Sequence, residues 1–271
     1  MEDTAMKLGF IGAGHMAQAI INGWLDSGKV NGLDIFIHSA HRESYGPYAQ
    51  KKGLVAVESN NEVVEKTDII FIAVKPLILG SVLAEIKDKV KAQKKVIVSM
   101  VSGVSLAEIQ EALGSDKVEL LRIMPNVNVE INEGITALAK NAHLTSKNYQ
   151  VCRELFEALG KTSEVAEKDF STFVALGGSS PAFVYFFIDS LARAGVKYGL
   201  SKKQATEVAA QAVVGSAKKV LATSRTPWEL VDEVSSPGGT TVAGLLAMEE
   251  AGFMTSIVKA VDATIAKDRE K

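Results

Sequence analysis

The fold is decided by Lys7–Ala19, KLGFIGAGHMAQA, which lies near the start of this 271-residue chain. Its apolar first part predicts a buried strand, and a helix-forming run, His15–Trp24, follows the turn that contains Gly12 and Gly14. A glycine-rich turn between a strand and a helix brings unpaired N–H groups and a partial positive charge to one point. The stretch therefore predicts a binding site for a phosphate or pyrophosphate group, with a ligand-free turn as the alternative.

The spacing of the small residues follows the GxGxxG/A pattern of dinucleotide-binding folds. Gly12 permits the tight turn, Gly14 lets a pyrophosphate approach the backbone, and Ala17 stands where alanine replaces the third glycine. The pattern assigns cofactor binding to the residues of this turn and helix start, which are Ile11, Gly12, Ala13, Gly14, His15 and Met16.

The composition is that of a soluble protein with ample material for a core, since 47% of the residues are hydrophobic and 23% are charged. A net charge of −2 gives no strong basic field, so we expect no nucleic-acid partner. The single cysteine, Cys152, excludes an intrachain disulfide and predicts a small buried apolar side chain, and four scattered histidines predict no metal site. Because there is no signal-peptide pattern and no run of about 18 apolar residues, we expect a cytoplasmic protein without a membrane span.

Short apolar strands alternate with amphipathic helices in the first half of the chain, which favours a parallel sheet covered on both faces. The expected strands are Lys7–Ile11, Asp34–His38, Leu54–Val57, Ile69–Val74, Lys95–Met100 and Val118–Met124, with Ile135–Ala139 as a further strand. The expected helices include Leu77–Val90, Leu106–Leu113 and Ser146–Leu159. This alternation predicts an α/β fold, with a doubly wound Rossmann domain over residues 1–165.

The second part of the chain, residues 166–271, has almost no strand pattern and predicts an all-helical domain. Its expected helices are Pro181–Tyr198, Lys202–Thr223, Trp228–Val234, Thr241–Ala251 and Met254–Lys267. Two stretches, Phe183–Ala194 and Val208–Val220, are apolar over wide arcs, and a helix that is apolar all round must be buried. So short a domain cannot cover these faces alone. We therefore predict a homodimer at least, with a compact monomeric bundle as the alternative.

The tip of the second expected strand, His38–Arg42, indicates which dinucleotide binds. NAD-binding folds place an acidic residue there to bind the ribose hydroxyls, and this tip has none. Ser39 can donate to a phosphate oxygen and Arg42 can neutralise it, which favours NADPH over NADH unless Arg42 is a solvated surface residue. Asn60, after the third strand, is assigned to the adenosine ribose, with its neighbour Asn61 or a helix-capping role as alternatives.

Two further strand ends lie at the same edge, where ligands bind in doubly wound sheets. The backbone of Ala73, Val74, Lys75 and Pro76 is expected to line the cofactor, and Lys75 also supplies a cation near the reaction centre. Asn126 can hydrogen-bond a nicotinamide amide or the substrate, although a turn-forming asparagine explains this residue equally well.

A second motif, Ser235–Thr241 with the sequence SSPGGTT, separates two expected helices. Its two glycines allow unusual backbone angles, and Ser236, Thr240 and Thr241 add hydroxyl groups at a helix start. These features predict a compact carboxylate cradle, with an elaborate helix cap as the alternative. Gly177–Pro181, GGSSP, is a second glycine/serine loop before a helix, and we interpret it as a close helix-packing site rather than a binding site.

Together these motifs resemble those of the Δ1-pyrroline-5-carboxylate reductase family. The resemblance is carried by FIGAGHMAQA at Phe10–Ala19, AVKP at Ala73–Pro76, RIMPN at Arg122–Asn126 and PWELVDEVSSPGGTTVAGLLAMEEAGF at Pro227–Phe253. It extends over essentially the whole chain. Two stretches depart from the family pattern, since the family's MPNTP and SGSGPAY are replaced by MPNVN at Met124–Asn128 and GGSSPAF at Gly177–Phe183.

The resemblance implies a Rossmann domain joined to a helical domain that interlocks as a dimer, with dimers forming rings in some members. It implies an oxidoreductase acting on CH–NH bonds, which reduces a cyclic imine carboxylate to L-proline, the last step of proline biosynthesis, using NADPH or alternatively NADH. The substrate would bind between the cofactor and the SSPGGTT stretch. By position, Ser236, Gly239 and Thr240 would hold the substrate carboxylate. Thr241 would be catalytic near the ring nitrogen, with Lys75 as a second catalytic candidate and Asn126 as a further substrate ligand.

Two other functions fit parts of the sequence. A β-hydroxyacid dehydrogenase also joins a Rossmann domain to a helical domain, but its catalytic lysine lies in a KxxxN-type helix. Lys168, Lys197 and Lys202 lack that setting, and the SSPGGTT stretch is left unexplained. A non-catalytic NADP-sensing module predicts damage in the nucleotide turn or at Thr241, and both are intact.

Overall fold

The computed structural model describes residues 6–115 and 117–270, which form two compact units. The first extends to Gly178 and the second covers Ser179–Ala266, with the chain end from Lys267 grouped with the first. The first unit is an α/β fold and the second is helical throughout. The predicted fold class, a Rossmann-like domain followed by a helical domain, is confirmed.

Eight strands of the first unit form one sheet in the order β3-β2-β1-β4-β5-β6-β7-β8. They are β1 (Leu8–Ile11), β2 (Ile35–His38), β3 (Val55–Ala56), β4 (Ile69–Ile72), β5 (Val96–Ser99), β6 (Glu119–Pro125), β7 (Gly134–Lys140) and β8 (Gly160–Glu164). The order reverses at β1, because the chain passes outward to β3 and returns to β4 on the other side of β1. Ligands of such sheets bind beyond the carboxyl ends of the strands at the reversal, so a site is expected between β1 and β4.

Helices cover the two faces of this sheet. They are α1 (His15–Asp26), α2 (Arg42–Lys52), α3 (Asn60–Lys66), α4 (Pro76–Gln93), α5 (Leu106–Leu113) and α6 (Ser146–Glu157). A short helix, α7 (Phe170–Phe173), follows β8, and 3₁₀ turns lie at Gly32–Asp34, Val127–Ile131 and Glu167–Asp169. Because side chains alternate along β1, Phe10 belongs to one apolar cluster with Trp24, and Ile11 to another with Ile86. β1, β4 and β5 are buried at every residue, as expected for strands with helices on both sides.

Two strands at the β8 end of the sheet differ from the expected arrangement. β7 pairs with β6 in antiparallel register, with Leu121 opposite Lys140, whereas the sequence pattern predicted a parallel sheet. Only a 3₁₀ turn separates β6 from β7, and a parallel connection needs about a dozen residues or more. β8, with the sequence GKTSE, was not predicted because it is a polar edge strand; it pairs parallel to β7 after α6.

The glycine/serine stretch that was expected to be a loop is helical instead. α7 is followed by a π-helical turn, Val174–Ser179, which contains two glycines. A Cβ at Gly177 would lie 3.1 Å from the Phe173 ring and 3.3 Å from Ile135, so the turn packs closely against its neighbours. The expected loop is thus corrected to a π turn, and the expected close packing is observed.

An aromatic cluster around Trp24 connects α1, α6 and the sheet. The Trp24 ring lies 5.9 Å from the Phe10 ring and 5.3 Å from the Phe71 ring. Its buried indole N–H donates to the Leu155 carbonyl at 2.7 Å, in the last turn of α6, where carbonyls lack partners within the helix. The side chain therefore contributes both apolar burial and a buried hydrogen bond.

We expect Trp24→Phe to lower the free energy of unfolding by about 2–4 kcal/mol, because it leaves a void and an unpaired carbonyl. Urea denaturation measures this change. The matched control is Trp228→Phe, since Trp228 is 65% exposed and its replacement should change stability by less than about 0.5 kcal/mol. Equal effects of the two changes would contradict the assigned contribution of Trp24.

The second unit contains five helices among its described residues. They are α8 (Ser180–Lys197), α9 (Lys202–Leu221), α10 (Pro227–Glu233), α11 (Thr240–Glu250) and α12 (Phe253–Arg269). α8 and α9 pack closely as a hairpin, and a Cβ at Gly195 would lie 3.0 Å from the Cβ of Ala205. α10 begins with Pro227 after a capping box between Thr226 and Glu229.

Large apolar side chains remain exposed on the second unit. α11 and α12 have no buried residue. Phe186 on α8 is 74% exposed, Val208 on α9 is 60% exposed, and Leu246 on α11 is 60% exposed. Apolar surface on this scale, spread over several helices, is typical of an interaction surface.

One helical stretch in the described part of the chain, Glu167–Lys197, is long and apolar enough to cross a membrane. The bent pair Thr240–Glu250 and Phe253–Arg269 meets the same criterion when taken as one span. The lack of an uninterrupted run of about 18 apolar residues had predicted no such stretch. Length and composition alone give weak evidence for a span.

Candidate active site

Gly12 closes the turn between β1 and α1, where the strand order reverses. Its N–H donates to the His38 carbonyl at 2.8 Å, and its φ of +103° lies in a region that favours glycine. A Cβ here would lie 2.4 Å from the Ala73 carbonyl oxygen, so a larger residue cannot be accommodated without displacing the backbone. Glycine at this position therefore brings the ends of β1, β2 and β4 together.

The start of α1 is accessible to an anion. Gly14 is the N-cap, no side chain caps the helix, and the first turn has no acidic residue. Gly14 and His15 are exposed, and a Cβ on Gly14 would meet no atom within 4 Å. Of the other predicted residues of this turn, Ile11 is buried, while Ala13 and Met16 are half-buried. First-turn N–H groups and the positive end of the helix dipole are thus available together, which suits a pyrophosphate.

The tip of β2 carries a charged pair that the sequence did not reveal. Ser39 follows β2 and is half-buried, and Arg42 is the first residue of α2. Arg42 forms an ion pair with Glu58, which follows β3. Since Ile37 pairs with Ala56, Glu58 comes level with Ser39. A carboxylate therefore stands at this tip, supplied by β3 rather than β2, which corrects the expectation that the tip has none.

Asn60, which was assigned to the adenosine ribose, begins α3 beside the end of β2. Its Oδ1 lies 2.8 Å from Nδ1 of His38, and its Nδ2 donates to Glu85 at 2.8 Å. The side-chain oxygen of Asn61 is buried and has no hydrogen-bond partner within the described residues. Ser59 is the N-cap, so neither asparagine has the capping role. His38, which was not a predicted site residue, fixes the Asn60 amide at this edge.

The Ala73–Pro76 segment lies beside the β1 turn. The N–H of Ala73 donates to the Ile11 carbonyl at 2.8 Å, one residue after β4 ends. Lys75 is the N-cap of α4 and Pro76 its first residue, and no side chain caps this helix. The Lys75 side chain is exposed. The segment therefore shares the sheet edge with the glycine turn, and its contact with a cofactor stays a prediction.

Asn126 lies at the end of β6 and is 5% exposed. Its Nδ2 donates to the carbonyl of Gly177 at 2.9 Å, and its Oδ1 accepts from the N–H of Ile135 at 3.4 Å. These bonds connect β6, β7 and the π turn. The amide therefore has a structural function, and a contact with nicotinamide or substrate stays a prediction.

The SSPGGTT stretch forms a tight turn before α11. The N–H of Gly239 donates to the Ser236 carbonyl at 2.9 Å, and Gly238 has a φ of +69°. Proline followed by a glycine of positive φ is the signature of a type II turn. A Cβ on Gly239, the N-cap of α11, would lie 2.6 Å from the Ser236 hydroxyl. The Ser235 hydroxyl is buried and lacks a partner in the described part of the chain.

α11 begins in the same manner as α1. No side chain caps it, and its first turn has no acidic residue. Thr240 and Thr241 are its first two residues, and both are exposed. A helix cap formed by these hydroxyls is not observed. Free N–H groups flanked by hydroxyls form a small, neutral site that suits a carboxylate.

The buried cysteine has the structural role that was predicted. Cys152 is fully buried, and this burial, with the charge of Glu119, raises the pKa of its thiol to about 12. The thiol is therefore protonated at neutral pH and unreactive. Residues 6–115 and 117–270 contain no group of three or more His, Cys, Asp or Glu side chains that could hold a metal ion.

Comparison with known families gives matches to both parts of the chain. Residues 167–271 match the family described as "Pyrroline-5-carboxylate reductase dimerisation", and residues 7–103 match "NADP oxidoreductase coenzyme F420-dependent". The chain is 38% identical over 264 residues to a pyrroline-5-carboxylate reductase from Escherichia coli, covering 97% of each chain. It is 33% identical to one from Arabidopsis thaliana, covering 98% of this chain and 95% of the relative.

Solved structures give the same result. Pyrroline carboxylate reductase from Plasmodium falciparum, with NADP bound, superposes with a TM-score of 0.88 at 30% identity, covering 98% of this chain and 97% of that one. 1-Pyrroline-5-carboxylate reductase from Streptococcus pyogenes has a TM-score of 0.87 at 36% identity, covering 98% and 99%. The similarity therefore extends over nearly the full length of the chain.

Proposed function

The chain belongs to the pyrroline-5-carboxylate reductase family, and we infer from this membership that it reduces 1-pyrroline-5-carboxylate to L-proline with NADPH. It is thus an NAD(P)-dependent oxidoreductase of proline biosynthesis. The observation that carries the inference is the match at 38% identity over 97% of the chain. α1 and α11 each have a glycine N-cap, Gly14 and Gly239, and no side chain caps either helix. Their exposed N–H groups are consistent with a dinucleotide and a carboxylate as ligands.

NADPH supplies the hydride for this reduction when it is bound. We propose that the start of α1 holds the pyrophosphate, and that the ends of β2, β3 and β4 hold the adenosine and nicotinamide portions. The residues proposed for cofactor binding are Ile11, Gly12, Ala13, Gly14, His15, Met16, Ser39, Arg42, Asn60, Ala73, Val74, Lys75 and Pro76. The open space at Gly14 supports this assignment, since a Cβ there would meet no atom within 4 Å.

The substrate carboxylate is assigned to the start of α11. Ser236, Gly239 and Thr240 would bind it through N–H and hydroxyl groups, and Asn126 would contact the substrate from the end of β6. The ring nitrogen must end protonated, and an imine that arrives as iminium already carries its proton. Thr241 would then orient the nitrogen or relay a proton. Lys75 is the second catalytic candidate, because it would place a cation near the reaction centre. Catalysis would then consist mainly of positioning the reactants and excluding water.

We propose that residues 1–165 bind the cofactor and that residues 166–271 bind the substrate and associate with a second copy. The chain forms a homo-oligomer, as the match of residues 167–271 to a dimerisation family indicates. A dimer is the smallest assembly that would cover the exposed helices, and rings of dimers are the larger alternative. This association also accounts for the apolar stretch at Glu167–Lys197, so we keep the expectation of a cytoplasmic enzyme with no membrane or nucleic-acid partner.

We expect Phe186→Asp to convert the dimer into monomers, because a charge on an apolar interface cannot be desolvated without a large cost. Light scattering after size-exclusion chromatography gives the mass. Leu33→Asp is the matched control, since Leu33 is 69% exposed on the first unit, and this variant should keep the wild-type mass. A dimeric Phe186→Asp variant would place the interface elsewhere.

The function is tested by following oxidation of NADPH and of NADH with 1-pyrroline-5-carboxylate, for the wild type and for Arg42→Ala. We expect turnover with a preference for NADPH that falls by about tenfold or more in the variant, since a charged hydrogen bond to the 2′-phosphate is lost. Turnover with an unchanged ratio of NADPH to NADH use in Arg42→Ala would retain the reaction and reject the role of Arg42. A folded, dimeric protein that oxidises neither coenzyme would reject the proposed function.

A further inference from the structure

The ion pair between Arg42 and Glu58 occupies the place where a 2′-phosphate is expected. Arg42 begins α2 after the tip of β2, and Glu58 follows β3 on the adjacent strand. The side chains of Arg42 and Glu58 are 56% and 71% exposed. An ion pair as exposed as this one is weak, so either partner can exchange it for another ligand.

The backbone of Glu58 is held in place, so its side chain projects from a fixed point. Its N–H donates to the Glu62 carboxylate at 2.8 Å. The next residue, Ser59, caps α3 by accepting the N–H of Glu62 at 3.1 Å. The backbone therefore places the side chain of Glu58 at the end of β3, beside the end of β2.

The neighbouring acidic side chains have partners of their own. Glu62 pairs with Lys66 at 2.7 Å, and Glu85 accepts from the Asn60 amide at 2.8 Å. Glu43 lies 3.6 Å from the ring of the exposed His41. Glu58 differs from these carboxylates because its partner is the arginine assigned to the 2′-phosphate.

We propose that Glu58 determines coenzyme specificity by holding Arg42 in this ion pair and by opposing the 2′-phosphate of NADPH with its own charge. The proposal rests on the proposed function, since it concerns the coenzyme of that reaction. A phosphate dianion can replace the carboxylate as the partner of Arg42, but Glu58 then stays nearby as an unpaired negative charge.

The same carboxylate has the opposite effect on NADH. That coenzyme carries a ribose 2′-hydroxyl, which can donate to a carboxylate, and acidic residues have this role in NAD-binding folds. Glu58 therefore reduces the difference between the affinities of the enzyme for NADPH and for NADH. Its removal should strengthen binding of NADPH and leave binding of NADH unchanged or weaker.

Glu58→Gln in the full-length enzyme tests this proposal by titration calorimetry with NADP⁺ and NAD⁺, and by kinetics with NADPH and NADH. We expect the Kd of NADP⁺ to fall by about fivefold, with no such fall for NAD⁺, and the ratio of kcat/KM values to shift by a similar factor. In the Arg42→Ala background the same substitution should lower the Kd of NADP⁺ by only about twofold or less, because no arginine remains to be released and only the repulsion between Glu58 and the 2′-phosphate is removed.

Glu43→Gln is the matched control, because it removes one negative charge next to Arg42 without removing its partner. An unchanged preference in Glu58→Gln would overturn the proposal, as would an equal shift in Glu43→Gln or a full gain in the Arg42→Ala background. Because calorimetry does not depend on turnover, a failure of the Glu58 proposal can be distinguished from a failure of the proposed reaction. Tighter NADP⁺ binding by Glu58→Gln, in an enzyme that does not reduce the imine, would support this proposal and reject the proposed reaction.

Discussion

Gly12→Ala is expected to abolish turnover and to destabilise the first unit by about 4 kcal/mol or more. The added Cβ would lie 2.4 Å from the Ala73 carbonyl oxygen, and alanine is strained at a φ of +103°. The N–H of Gly12 also donates to the His38 carbonyl, so any shift of the turn disturbs β2 and β4 together. Urea denaturation and NADP⁺ calorimetry on the same preparation measure both losses.

Gly14→Ala separates folding from binding. Its φ is −71° and its Cβ would project into open space, so stability should change by less than about 1 kcal/mol. NADP⁺ should nevertheless bind roughly tenfold more weakly or worse, because the methyl group would occupy the approach to the helix N–H groups. Full NADP⁺ affinity in Gly14→Ala would show that the pyrophosphate does not lie at this helix start.

Thr241→Ala is expected to lower kcat/KM by about a hundredfold without changing the melting temperature. Thr241 is an exposed residue in the first turn of α11, where the N-cap is Gly239 and no side chain caps the helix. Its hydroxyl therefore contributes little to folding. Loss of activity in a variant of unchanged stability would then support a direct role of this hydroxyl at the ring nitrogen of the substrate.

Two further variants identify the hydroxyl as the important group. Thr241→Ser keeps it and should stay within about tenfold of the wild type, whereas Thr241→Val keeps the shape and should resemble Thr241→Ala. Steady-state kinetics with saturating NADPH measures the series, and thermal unfolding provides the control. Unchanged turnover in Thr241→Ala would remove this residue from the mechanism.

The glycine turn and the main strands could be predicted because their signals are local. Gly12 and Gly14 stand in a fixed spacing between an apolar strand and a helix, and each constraint involves residues close in sequence. β8 could not be predicted in the same way, because GKTSE is polar and becomes a strand only by pairing with β7. The π turn was missed because glycine, serine and proline are typical of loops when they are considered without tertiary contacts.

The charges at the β2 tip show a similar limit. The sequence points to Arg42 by its position after the second strand, but its partner, Glu58, follows a different strand, β3. The two strand ends are adjacent because β2 pairs with β3, and strand pairing is not encoded in a local pattern. Asn126 is a second example. The hydrogen bonds that its side-chain amide forms with the π turn and with β7 join residues that are distant in sequence.

The two uncapped helix starts have a consequence for mutational tolerance. A site built from main-chain N–H groups presents the same donors whatever side chains surround it, so drift at flanking positions leaves it intact. Apart from the hydroxyl of Thr241, the substitutions in these two loops that abolish binding should then concentrate at a few glycines, Gly12, Gly14, Gly238 and Gly239, whose backbone angles or lack of a Cβ the sites require. A saturation mutagenesis library should therefore show two narrow intolerant zones within broadly permissive loops.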